Sequence, residues 1–304
     1  MVRVTTEIGR LRKVLVHEPG PEVDRMVPPM MEELLFDDIL FGDRARDEHR
    51  RFRRLLQLLG IEVVEANALL VETLANDEAL SWLWTRLRPE APQELRAGEF
   101  SVSAEEAVKI ATTGVLASDD CGGIEVEDLF RLPPLPNWCF QRDPQVILGD
   151  GVVFSAMATA ARWREGLLSR CVFRFHPEFA DTPVVLHPLR EAREAGQFFG
   201  PHRPRLEGGD VLVLSPELVA IGVSERTNMV AVELLAVALV VPDEVQQIVL
   251  DLERRAEEEP NPNQRSEIDA VSGRDQRADG QRMDGRQPAG LLEDHLHVVG
   301  VGEL

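Results

Sequence analysis

Two hydrophobic periods alternate within the first 65 residues, and a fold built on only one of them cannot accommodate both. Leu11 to His17 (LRKVLVH) alternates apolar and polar side chains as a strand does, and stops at the turn sequence Glu18-Pro19-Gly20. Arg44 to Leu59 then sets Phe52, Leu55, Leu56, Leu58 and Leu59 on one helical stripe, with Gly60 placed as a C-terminal cap. Ile61 to Glu65 (IEVVE) returns to strand character. A strand, a helix and another strand in so short a span imply a mixed α/β architecture.

From about Asn67 to Asp128 the pattern turns helical and poorer in β-branched residues, through ETLANDEALSWLW and AEEAVKIATTG, as expected of helices inserted between sheet elements. Strands return at Gln145 to Leu148 and Val152 to Ala156, joined by the hairpin signal Gly149-Asp150-Gly151. Asp210 to Leu214 and Leu218 to Val223 read as a second hairpin turning at Ser215-Pro216-Glu217. Asn228 to Leu239 is an apolar helix and Gln246 to Leu250 a strand. Near Leu252 the character changes. Ser266 to Gly290 is rich in Arg, Asp, Gln and Gly and has too little apolar surface to offset its ordering entropy. Residues 1–252 are therefore expected to form the folded domain and 253–304 a disordered tail, or a stretch read in a lost frame.

A chain of 304 residues with 44% hydrophobic content builds a sizeable core. Its net charge of -20 argues against nucleic acid, which requires a basic face, and favours a cationic ligand. No apolar run approaches a membrane span, and the start MVRVTTEIGR lacks a signal-peptide stretch. Cys121, Cys139 and Cys171 are odd in number and without metal-ligand spacing, which points to a reduced cytosol and to no metal site.

Four segments carry the candidate chemistry: Asn137 to Asp143 (NWCFQRD), Arg162 to Glu165 (RWRE), Glu207 to Asp210 (EGGD) and Ser224 to Thr227 (SERT). A guanidinium stays protonated at ordinary pH, so a pocket that binds it needs carboxylates in bidentate geometry. Asp143 and Glu207 are the candidates, with Gly208 and Gly209 letting backbone approach a ligand. Arg162 and Arg226 are placed to clamp an α-carboxylate at the other end, and Asn137 to add a polar contact. Read singly, an Arg-Asp pair or a Glu-Gly-Gly-Asp turn is more often structural.

In combination the segments resemble the arginine deiminases of the guanidine-modifying (pentein) superfamily. LRKVLVHEPG, LLFDDIL (Leu34 to Leu40) and ARDEHRRF are similar to that family's amino-terminal region. LPNWCFQRDP, ARWRE, LEGGDVLVL and IGVSERTN are similar to its successive active-site segments, and the likeness spans about residues 7 to 250. It implies an α/β propeller of repeated ββαβ-type units with a helical insertion at about 67–128, incomplete at the C-terminus. It also implies hydrolysis of L-arginine to L-citrulline and ammonia, without metal or organic cofactor. Asp143 and Glu207 would hold the guanidinium, Glu207 would take part in proton transfer, and Asp210 would support them. Arg162, Arg226 and Asn137 would read the α-carboxylate.

The family reaction uses a cysteine thiolate and a histidine acid from later segments. Of the histidine motif only His295-Leu296 is echoed, followed by His297 and Val298, and no cysteine follows Cys171. Cys139 reads as a packing residue. The resemblance thus implies a chain that is inactive or nearly so, with exposed sheet edges that favour homo-oligomers or low solubility. A non-catalytic arginine-binding protein and a related amidinotransferase are the alternatives. The insertion and the SERT segment count against the latter.

Overall fold

The computed structural model describes residues 2–87, 102–117, 126–188, 203–240 and 295–300, the last of these by backbone alone. Strand β1 (Lys13–Val16) and β2 (Glu62–Glu65) pair in parallel, and helix α1 (Gly42–Leu58) runs between them along the chain. Gly60 ends α1 with φ +75°, donating to Gln57 O while Ile61 donates to Leu56 O, at 3.0 and 3.1 Å. That is the double closure that a left-handed glycine permits. The strand-helix-strand reading of the first 65 residues therefore holds.

The stripe on α1 does not hold. Only Leu56 is buried, while Phe52, Leu55, Leu58 and Leu59 are more than half exposed. At about 100° per residue the inward face is Ala45, His49, Arg53 and Leu56, and Leu58 lies on nearly the opposite side. The inner face is held partly by charge, since Arg53 and Arg50 donate to Glu18 and Arg46 to Asp24.

Helices α2 (Ala66–Leu74), α3 (Asp77–Leu87) and α4 (Ala104–Thr113) follow, then the two-residue strand β3 (Val115–Leu116), which interrupts the expected helical stretch and pairs with β4 (Phe130–Leu132). β5 (Gln145–Leu148) and β6 (Gly151–Phe154) form the expected hairpin, with Gly149 at φ +56° in its turn. Helix α5 (Trp163–Phe175) crosses over to β7 (Val184–Leu186), which pairs parallel to β6 and completes a ββαβ unit. The second hairpin is β8 (Val211–Ser215) and β9 (Leu218–Val223), followed by α6 (Met229–Val240), whose first turn is held by Asn228 Oδ1 on the Ala231 amide at 3.2 Å.

Cys171, Leu167 and Leu168 of α5 pack against Leu70 and Leu74 of α2, Leu83, Trp84 and Leu87 of α3, and Ala107 and Ala111 of α4, to form the main core. Trp138 joins that core and donates to Asn67 Oδ1 at 3.1 Å, which ties the Asn137 to Asp143 segment to it. Beside Trp138 the buried His17 bridges Glu22 and Glu65 at 2.9 and 2.8 Å. Burial opposes its charge, but the two carboxylates outweigh burial and raise its pKa.

The chain falls into two compact units, Met1–Ala236 with Asp294–Leu304, and Val237–Glu293. Of the second, only residues 237–240 are described. Gln246 to Leu250 and Ser266 to Gly290 lie outside the described residues. His295–Gly300, within the stretch expected to be tail, is strand β10, antiparallel to β9 from His295 against Val223 to Gly300 against Leu218. Among the described residues no helix is long and apolar enough to cross a membrane.

Candidate active site

Backbone pairing joins two of the four segments, Asn137 to Asp143 and Glu207 to Asp210, and side chains bring in the other two. Ala156, just beyond β6, forms a bridge with Leu206, each amide donating to the other carbonyl at 3.0 Å, and this lays Glu207 alongside the end of β6. Gly208 then donates to Asp143 O at 3.0 Å, so the Asp143 and Glu207 backbones run side by side. A Cβ on Gly208 would sit 2.0 Å from Arg142 O, so only glycine permits this approach. Arg142 stitches the same contact by donating from Nε to Gly208 O at 3.1 Å.

The SERT turn closes behind Glu207. Thr227, fully buried, accepts the Glu207 amide at 3.1 Å, and Ser224 donates through Oγ to Asp210 Oδ2 at 2.9 Å. Asp210 therefore braces the turn that presents Arg226. Asn137 is buried and donates to Leu34 O at 2.9 Å, joining its segment to LLFDDIL.

Arg162 stands at the centre. It ends a short 3-10 turn (Ala160–Arg162) that leads into α5 and is 1% exposed. Its Nη2 donates to Asp143 Oδ2 at 2.9 Å and its Nη1 to Glu207 Oε2 at 3.0 Å. Its Nε and Nη2 also grip Glu165 Oε1 and Oε2, at 2.9 and 2.7 Å. The sequence placed Arg162 across a ligand from the two carboxylates; in this structure it lies directly against them. Of its five N–H groups, four are bonded to carboxylates, leaving one on Nη1. Arg226 is an accessible cation beside Glu207: its side chain is 42% exposed and its Nη1 lies 3.9 Å from Glu207 Oε2.

Glu165 was quoted in the RWRE segment without a role. Its signal was its spacing, because a carboxylate three residues after an arginine at a helix start shares that arginine's face. Three carboxylates thus surround one guanidinium. Burial pushes Glu165 up to about 7 against the pull of Arg162, and burial likewise raises Glu207. For Arg162, burial alone would lower the pKa, but the bond to Glu165 and the charges of Glu165 and Glu207 raise it, so it remains a cation.

Asp143 and Glu207 each keep one oxygen off Arg162, whereas Glu165 gives it both. Glu207 Oε1 accepts the Ala158 amide at 3.2 Å, and among the described residues Asp143 Oδ1 has no hydrogen-bond donor. Above Asp143 lies the exposed Gly209, where an added Cβ would come 3.1 Å from Oδ1. The glycine keeps that oxygen approachable.

The thiols on hand are unactivated. Burial pushes Cys139 up to about 12, helped by the charges of Glu165 and Glu22, and its Sγ rests 3.5 Å from Pro136 O. Burial does the same to Cys171 within the core. Both read as packing residues. Cys121 lies outside the described residues.

The fold is α/β with a ββαβ unit, and its buried acids close round the guanidinium of Arg162. The chain is a member of the arginine deiminase family: the family's sequence profile matches residues 32–257. The chain is 34% identical over 250 residues to an arginine deiminase of Limosilactobacillus fermentum, covering 77% of this chain and 59% of that protein. It is 36% identical over 245 residues to an arginine deiminase of Metamycoplasma hominis, covering 77% and 56%. It is also 36% identical over 252 residues to one of Lactococcus lactis, covering 77% and 58%. The matched part thus spans somewhat over half the length of these relatives.

Proposed function

We propose that this chain binds L-arginine through its guanidinium, and that the reaction of its site is hydrolysis of L-arginine to L-citrulline and ammonia. The observation that carries this reading is the convergence of Asp143 and Glu207 on one buried guanidinium while Asp143 Oδ1 stays open beneath Gly209. A second planar cation finds there the charge-assisted acceptors it requires. Glu207 also takes part in proton transfer. Arg226 meets the α-carboxylate, aided by the remaining Nη1 hydrogen of Arg162 and by Asn137, and Asp210 supports them through Ser224. The pentein ring of repeated ββαβ units, a cytosolic location and a homo-oligomeric state belong to the same proposal, supported by the β5-β6-α5-β7 unit and the family membership.

The reaction needs a thiolate, and neither Cys139 nor Cys171 offers one. That favours, as a second reading, an arginine-binding protein without turnover. Calorimetry with L-arginine and an assay for citrulline separate the two. Binding with citrulline release supports the enzyme, binding alone supports the second reading, and neither overturns both. Loss of turnover on Cys139→Ala would show that this thiol, against its surroundings, is the nucleophile.

A further inference from the structure

We infer that Glu165 is the positioning residue of the guanidinium site: it fixes the Arg162 fork, and it gives up a proton when a cationic ligand enters. The inference rests on the arginine-binding reading above and adds a residue and a proton to it. Its basis is a charge imbalance. Asp143, Glu165 and Glu207 crowd one buried arginine, and among the described residues the one other cation paired with them, Arg226, is 42% exposed and 3.9 Å from Glu207. Uncompensated carboxylates are costly in so buried a cluster, so the empty cluster retains a proton. A ligand guanidinium supplies the missing charge, and the proton departs to solvent.

Glu165 is the member least able to stay charged when the site is empty. It is wholly buried, whereas the Asp143 side chain keeps 15% exposure and Glu207 receives the Ala158 amide. The groups facing it are Arg162, Asp143 and Glu207, with the neutral Cys139 thiol and, beyond it, Glu22. On its own helix Arg164 turns away to Ala111 O at 3.2 Å, and Arg170 lies near Gly166. Its place in the first turn of α5 gives the anion a favourable dipole once it forms. When ionised, it accepts from Arg162 through both oxygens; when protonated, it loses one acceptor and its hold slackens. Ligand entry, ionisation of Glu165 and the set of Arg162 are thereby linked.

Two measurements on the whole chain test this. In the ligand-free protein, carbon NMR of labelled glutamate carboxyls, assigned by Glu165→Gln, should show Glu165 titrating near neutrality; an ordinary carboxylate titration sinks the inference. Calorimetry with L-arginine in buffers of different ionisation enthalpy should show release approaching one proton at pH 6 and little at pH 8. Affinity should fall by up to tenfold per pH unit on the acid side. In Glu165→Gln the release should vanish and the profile flatten, which a purely structural role would not produce. If that variant does not fold, the native chain's titration and proton release still decide the matter. Arginine binding with no proton released overturns the inference and leaves the arginine site intact. A neutral Glu165 titration with no arginine binding overturns the arginine reading and leaves the positioning role standing.

Discussion

Replacing Arg162 by methionine removes the one cation, among the described residues, in contact with all three of Asp143, Glu165 and Glu207, while keeping most of the side-chain length. Four hydrogen bonds of 2.7 to 3.0 Å are lost, and Glu165 is left uncompensated at zero exposure. Breaking a buried ion pair in this way costs about 3–5 kcal/mol. The loss should depend on pH with a definite sign. Without Arg162 the carboxylates bind protons more tightly in the folded state than in the unfolded chain, so folding takes up protons. A folded pKa raised in this way adds stability below the unfolded value and forfeits it as pH rises through the folded one. Urea unfolding should therefore show the full deficit at pH 8 and a smaller one at pH 5. A loss below about 1 kcal/mol, or one equal at both pH values, would refute the view that Arg162 is the charge on which this cluster closes.

Other perturbations separate structure from binding. Gly208→Ala drives a Cβ to 2.0 Å from a backbone oxygen and should cost about 1–3 kcal/mol, seen as a lower Tm. Gly209→Ala should leave the Tm nearly unchanged, yet weaken arginine about tenfold, or ~1.4 kcal/mol, by crowding Asp143 Oδ1; unchanged affinity would remove that oxygen from the site. His17 should titrate above its ordinary value by histidine NMR. The stability its charge adds is complete below about 6.5 and fades as pH rises through that higher midpoint, so a midpoint at or below 6.5 would contradict the bridge to Glu22 and Glu65. Leu56→Ala should cost about 2–3 kcal/mol and Leu58→Ala under about 0.5 by urea unfolding, and equal costs would reverse the assigned faces of α1.

Local pattern was enough to determine the α/β alternation, the glycine that ends α1, the hairpin at Gly149 and the strands that follow the EGGD segment, because each depends on residues a few positions apart. The order of the four polar segments likewise stood in the sequence, and with it the family. Which face of α1 turns inward did not, since periodicity marks an apolar stripe without saying what packs beneath it, and ion pairs to Glu18 and Asp24 set that orientation. The strand at His295–Gly300 escaped notice because its existence rests on pairing with β9, more than seventy positions earlier in the chain. The meeting of Arg162 with Asp143 and Glu207 was also beyond local reading. Arg162 is 19 residues from Asp143 and 45 from Glu207, and only the Ala156–Leu206 bridge and the glycine at 208 bring them within bonding distance. Charges so far apart along a chain acquire partners through packing, and the tertiary structure alone decided that an arginine chosen for a ligand's far end would first gather the carboxylates around itself.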